Sequence, residues 1–343
     1  MSDTVLLKAE RPSGKMDDEQ GKLYKGMLIS SAVLADLRKL QKKNNWYNFF
    51  SIGLDWFLIA AAIGVSLYIG TIWMYLLAVC VIAGRMRGLD NLMHEASHNM
   101  LFKTKSLNRW IGFLFVALPV CTNFNMYCTS HYKHHRFLWT DDDPDTVALK
   151  KLGLHQSKIT KAQFLLKYIF GSFLIANLFD NIKTFIHKLI TNEQQTKLEY
   201  GIKLVFWAAL IGSSVIFGFW LQLILYWLIP LLFIFPIIRF WSDLADHSGL
   251  ETLDPLYSSR NSYGNFLERF FLYPHHDTYH IVHHLFPAIP HYNLKQAHIT
   301  LMSVPDYARA HHCTGFVASF FPGFRSVIDD IVRLHRSESK RKE

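Results

Sequence analysis

The sequence predicts an all-α membrane protein: four transmembrane helices in two hairpins, with a cytoplasmic helical cap that carries clusters of histidine. Three observations lead there. Two long stretches, Trp56 to Gly84 and Leu204 to Ile238, contain no Asp, Glu, Lys or Arg. With its flanks, each is long enough for a hairpin of two spans of about 20 residues. Every Lys and Arg lies outside both stretches, and the expected hairpin tips near Tyr68 to Trp73 and Gly218 to Gln222 carry no charge. The charge therefore gathers on one face of the membrane, which the positive-inside rule makes cytoplasmic. Third, histidines recur at helical spacing in three places, all on that face.

Composition agrees. Half of the 343 residues are hydrophobic, and the charged fraction of 18% lies below the usual ~25%. A net charge of +9 would suit nucleic acid if it were spread over a soluble surface. Confined to one face, it reads as topology and contact with anionic membrane lipid, and nucleic acid is excluded as a partner. The four cysteines form no C-x-x-C and lie in or beside apolar segments, so no disulfide framework is expected.

In chain order, Met1 to Met27 is polar and expected to be loose. Ser31 to Lys43 has the period of an amphipathic helix with Val33, Leu34, Leu37 and Leu40 on one side. The first span is expected over Phe49 to Tyr68. The second, over Ile72 to Met93, continues past Arg85 and Arg87, so its last turns must leave the lipid. Trp110 to Cys121 is apolar but too short to span, hence re-entrant, interfacial or buried. Gln163 to Phe179 is amphipathic and suits the membrane surface. Ile202 to Phe217 and Leu221 to Phe240 make the second pair of spans, with Pro230 and Pro236 expected to kink the return helix. We divide the chain into a polar segment with its amphipathic helix over 1–45, a membrane domain over 46–320 and a basic tail over 321–343.

The chemistry lies in the histidines. His280-Ile-Val-His283-His284 and His131-Tyr-Lys-His134-His135 share the spacing i, i+3, i+4, which puts three imidazoles within an arc of about 100° on a helix. His94-Glu-Ala-Ser-His98 adds two imidazoles one turn apart. In this composition one H-x-x-H-H is expected about 0.05 times, so two copies are not chance. Imidazole is the commonest protein ligand for mid-row metals. Eight clustered histidines, with His247 as a ninth candidate at the end of the fourth span, exceed what one ion with an open position can use, and suit two. Ligand type alone leaves Zn, Cu, Fe and Ni open.

The three clusters resemble the integral-membrane fatty acid desaturase superfamily, whose pattern is H-x(3–4)-H, H-x(2–3)-H-H and [HQ]-x(2–3)-H-H around paired hairpins. Here these read HEASH, HYKHH and HIVHH, and the likeness extends to HHRFLWTDDDPD and PHHDTYHIVHHLFPAIPHYNL. Ala245-Asp246-His247 is similar to the family's A-E-H element, with Asp246 in place of Glu. The resemblance implies a di-iron centre held by His94, His98, His131, His134, His135, His280, His283 and His284, with His247 added. It implies O2 as co-substrate, removal of hydrogen from an unactivated C–H bond, and a lipid or acyl substrate. Asp145 and Asp246 are expected to orient ligand rings, mainly through the resemblance. Asp142 and Asp143 read equally as ring-orienting carboxylates or as solvated loop acids and a helix cap. No H-P-G-G haem segment is present, so electrons come from a separate ferredoxin or cytochrome.

Two rival readings explain less. His94-Glu-Ala-Ser-His98 matches the zincin H-E-x-x-H with Glu95 as base, but a protease leaves both H-x-x-H-H motifs unused. A metal transporter needs ligands in mid-membrane, and both charge-free stretches lack histidine. Desaturation and hydroxylation share the metal centre, and no motif here separates them.

Overall fold

The computed structural model describes residues 22–153 and 159–339. Strands β1 (Lys22–Tyr24) and β2 (Met27–Ile29) pair antiparallel through Lys25 and Gly26, both at positive φ, as a two-residue turn requires. The segment expected to be loose thus gives way to structure at Lys22, and Met27 and Ile29 are fully buried. Its first 21 residues lie outside the described residues. Helix α1 (Ser31–Leu40) begins where the Ser30 side chain accepts from the Val33 N–H, and it buries Leu37 as its period predicts.

Helices α2 (Tyr47–Ile69) and α3 (Ile72–Ser97) pack on each other across a sharp turn. Gly70 ends α2 in the left-handed region, φ 68°, which only glycine adopts without strain, and Thr71 caps α3. From Ile82 to Met93 every residue of α3 is buried, including Arg85, Arg87, Asp90 and Asn91. The charges are paired: Arg85 donates to Asp55 of α2 at 3.0 Å, and Arg87 to Asp90 and Asp277, each at 2.7 Å. Gly88 makes the first pair possible, because a Cβ there would meet Asp55 Oδ2 at 2.6 Å. The expected exit of this helix from lipid is an entry into protein.

Helix α4 (Lys105–Ile111) runs into a π-helical turn, Gly112–Ala117, whose Phe113, Val116 and Ala117 are buried, so the short apolar segment is core. Helices α5 (Phe124–Phe137) and α6 (Pro144–Lys151) follow. The amphipathic helix expected over Gln163 to Phe179 is instead two: α7 (Lys161–Phe173) and α8 (Ile175–Ile190), broken at Leu174 with ψ 137°. Gly171 and Ser172, weak helix formers, fall just before the break. Helices α9 (Lys197–Ile216) and α10 (Trp220–His247) complete, with α2 and α3, four helices long and apolar enough to cross a membrane. Pro230 and Pro236 lack an N–H for the ladder. Around them α10 widens into π turns over Ile224–Leu228 and Pro230–Ile234, and past Phe240 it runs on to carry Asp243, Asp246 and His247.

Past α10, strand β3 (Asn261–Tyr263), helix α11 (Phe266–Phe271), a tight turn at Pro274–Tyr279, helices α12 (His280–Leu285), α13 (His291–Leu301) and α14 (Pro305–Ala308), and strand β4 (His312–Thr314) lead to α15 (Val327–Ser339). Helix α12 sits in a second core, with Ile281, Val282 and Leu285 fully buried against β2, α1 and α13. Val327, Ile328 and Ile331 of α15 are fully buried in the first.

Candidate metal centre

Four helix ends converge: the C-termini of α3 and α10, all of α12, and the second half of α5. Nitrogen atoms of His94, His98, His131, His135 and His283 lie within 4.8 Å of one another, and so do those of His134, His247, His280 and His284. The nine histidines singled out in the sequence therefore form two sets, of five and four. Helical spacing explains the split. In α5 the i, i+4 pair His131/His135 joins the five and the middle histidine, His134, joins the four. In α12 the roles reverse, with His280/His284 among the four and His283 among the five.

Opposing Nε2 atoms approach closely: His98 and His131 at 2.7 Å, His135 and His283 at 2.9 Å, His247 and His280 at 2.9 Å, His134 and His247 at 3.2 Å. The outer nitrogens explain what this means. His247 donates its Nδ1–H to the Ser258 carbonyl at 2.9 Å, and His134 Nδ1 faces Asp143 at 3.1 Å and Asp145 at 3.2 Å. Neutral rings so anchored present bare lone pairs to each other, which repel unless a proton or a metal cation lies between them. Burial pulls His134 down, but the Asp143 hydrogen bond and the nearby carboxylates outweigh it and leave His134 raised: positive charge is favoured here. Burial, and then the neighbouring imidazoles, hold His131, His135, His283 and His284 well below the ordinary value and His98 at about 4, so these rings are neutral donors of lone pairs. The donor set fits two metal ions of the kind imidazole prefers.

The surrounding carboxylates sort themselves. Asp143 is fully buried, caps α6 by accepting from the Asp145 and Thr146 N–H groups, and orients His134. Asp142 is exposed. Asp246 and Asp277 each stand 3.9 Å from His280 Nδ1. Glu95 is buried facing away from the imidazoles, where it accepts from the His291 N–H at the start of α13, an anchoring role rather than that of a base.

The sequence model of the fatty acid desaturase family matches residues 70–315. Dihydrorhizobitoxine desaturase of Bradyrhizobium elkanii is 32% identical over 299 residues, covering 83% of this chain and 84% of that protein. This chain belongs to the fatty acid desaturase family. A sphingolipid delta(4)-desaturase DES1-like protein of Oryza sativa subsp. japonica is 29% identical over 123 residues, 33% of this chain and 37% of that one.

Several residues that set this desaturase site escaped the sequence reading. Asp277 links buried Arg87 to His280, and its only signal was its place three residues before that histidine. The loop Ser258–Asn261 ties the site together from outside. Its Ser258 carbonyl takes the His247 and Trp139 N–H groups, Arg260 donates to the Ala245 and Ser248 carbonyls, and Asn261 accepts from the Ile281 N–H. These contacts join segments distant in sequence, so no local pattern announces them. Among the remaining histidines, His187 is exposed beside Glu193, and His298 and His312 sit in a buried cluster with Tyr263 and Tyr307. His155 and the side chain of His335 lie outside the described residues. Tyr132 and Lys133 are exposed.

Proposed function

We propose that this desaturase is a multi-pass membrane enzyme with a di-iron centre that uses O2 and electrons from a separate ferredoxin or cytochrome to place a double bond in a lipid or acyl chain. One observation carries the reading: nine imidazoles in two sets whose lone pairs face inward. In this proposal His94, His98, His131, His135 and His283 hold one iron and His134, His247, His280 and His284 the other. Bound iron supplies the oxidising reaction with O2 that removes hydrogen from an alkyl C–H bond, chemistry beyond any side chain. The protein's own part is to hold and orient. Asp143, Asp145 and the Ser258 carbonyl keep protons on Nδ1 so that Nε2 stays bare. Nine neutral rings bring no charge of their own, and Asp246 and Asp277 stand beside His280, with Asp277 also paired to Arg87. A cavity of about 170 Å³ touches both sets through His94, His131, His134, His247 and His280, and Asp246, Asp277 and Arg87 also line it.

The histidine-bearing helix ends face the cytoplasm in this proposal, in two hairpins under a helical cap, as the charge distribution supports. The two relatives are named for different substrates, dihydrorhizobitoxine and sphingolipid, so the substrate must be found by experiment. Comparing lipids and extractable metabolites of cells with and without the gene tests the activity. A new double bond that depends on O2 is expected. A new hydroxyl would move the enzyme to the hydroxylase branch, and no oxidised product with zinc bound in place of iron would end the proposal.

A further inference from the structure

A second and larger cavity, about 520 Å³, lies on the other side of the turn that leads into α12. None of the nine histidines lines it. The two cavities share residues 275–280 as a common wall: His275, His276, Thr278 and Tyr279 face this one, Asp277 and His280 the metal side. Its size is that of a ligand pocket, and its lining has a consistent chemistry. Arg269 and Lys295 contribute two cations, His275, His276 and His291 three imidazoles, and no Asp or Glu lines it at all. Lys295 has no carboxylate partner among the described residues.

Two buried polar atoms of the lining have no partner of hydrogen-bonding geometry, Tyr273 Oη and His291 Nδ1, although Ser262 and the His275 backbone come near enough to influence them. Both residues are less than 4% exposed. The wall is also strained. His275 and His276 are consecutive non-glycine residues at positive φ, 54° and 64°, a conformation that persists where the surroundings hold it and that clusters at binding sites. The opposite wall is apolar and belongs to the membrane-facing start of α2, where Phe50 and Leu54 are both exposed. A cationic, carboxylate-free pocket that opens onto a hydrocarbon-facing helix recognises one kind of molecule.

We propose that this cavity binds an anionic amphiphile, its carboxylate or phosphate on Lys295 and Arg269 and its chain along Phe50 and Leu54. Two sources share that chemistry, a free fatty acid and an anionic phospholipid. The site is separate from the histidine centre, so it stands whether or not that centre is a di-iron desaturase.

The test is equilibrium binding to the full chain in neutral detergent, with and without chelator treatment, using radiolabelled oleate and dioleoyl phosphatidic acid, with oleyl alcohol and diolein as neutral counterparts. At least one charged probe should bind about tenfold or more tightly than its neutral counterpart, as a charge-assisted contact allows. Lys295→Glu should remove that preference and Lys295→Arg keep it. Lys295 is exposed on α13, so its variants leave the core intact, and Arg269→Gln gives an independent loss. Preference for oleate alone identifies a free carboxylate as the ligand, and preference for phosphatidic acid alone a lipid headgroup. Equal binding of charged and neutral probes, or no loss in either Lys295→Glu or Arg269→Gln, overturns the proposal.

Discussion

His134 and His283 are each the middle histidine of an H-x-x-H-H motif, and each turns from its two neighbours to join the other set. The spacing made all nine rings candidates, but which set each joins depends on how α5 and α12 cross, and a sequence does not contain that angle. His247 stood out only by its place at the end of the fourth span and through the resemblance, since one histidine at a helix end has no periodicity of its own. If the sets hold iron, His134→Ala leaves three ligands and His283→Ala four. Both should lower turnover at least 100-fold, because even a hydrogen-bonded partner of a ligand is worth 10–100-fold, and His134→Ala should lose the more iron by elemental analysis. His247→Ala should behave like His134→Ala. Retained iron and turnover within severalfold of wild type would remove it from the ligand set. Exposed His187→Ala is the control and should be near normal. Asp143→Asn keeps the size of the cap but weakens the hold on His134 Nδ1, and should cost about 10–100-fold in iron affinity or activity.

At the scale of elements, the apolar helices were legible because burial in lipid or core leaves a long charge-free run. Their ends were less so. Helix α10 continues past Phe240 with Asp246 buried in protein, Arg239 facing Asp90 of α3 at 3.7 Å and Asp243 left exposed. The break between α7 and α8 shows in sequence only as Gly171-Ser172. What holds α10 in place is non-local: Arg260, fully buried, donates to carbonyls at its C-terminus and pairs with Asp330 of α15 at 3.3 Å. Removing one member of such a buried pair costs roughly 3–5 kcal/mol, so Arg260→Met should lower the melting temperature in detergent and loosen His247. Asp330 gives a pH test of the same latch. Burial alone would raise its carboxyl, but the His311 hydrogen bond at 3.1 Å and the charges of Arg260 and Arg333 outweigh it and hold it well below the usual range. A folded-state value below the unfolded one stabilises above the unfolded value, about pH 4, and that stabilisation fades as pH falls further. Asp330→Asn should therefore melt lower than wild type at pH 7, with the gap shrinking only as pH is lowered below about 4. A gap that does not change with pH would mean that Asp330 acts through shape rather than charge.

For the whole molecule, the decisive pattern is where charge is missing. Gly70 and Gly218 lie at one end of the four long helices, and His94, His98 and His247 lie at the other end of α3 and α10. At 1.5 Å per residue, the 26 residues of α3 separate those ends by roughly 40 Å, more than the ~30 Å hydrocarbon core. In the proposed topology the tips lie on one side of the bilayer and the histidines on the other. The arginines and lysines accompany the histidines, because α2 and α9 begin, and α3 and α10 end, among charged segments, and short loops rich in Lys and Arg stay cytoplasmic. Labelling single cysteines in a cysteine-free background with a membrane-impermeant maleimide tests this arrangement. Tyr68→Cys and Phe217→Cys, at exposed positions beside the tips, should react in intact cells. Lys39→Cys, on the exposed face of α1, should react only after the membrane is opened. Labelling of Lys39→Cys in intact cells would put the histidines on the outer face, where an intracellular ferredoxin or cytochrome could not reach them. The electron supply proposed here would then fail with the topology.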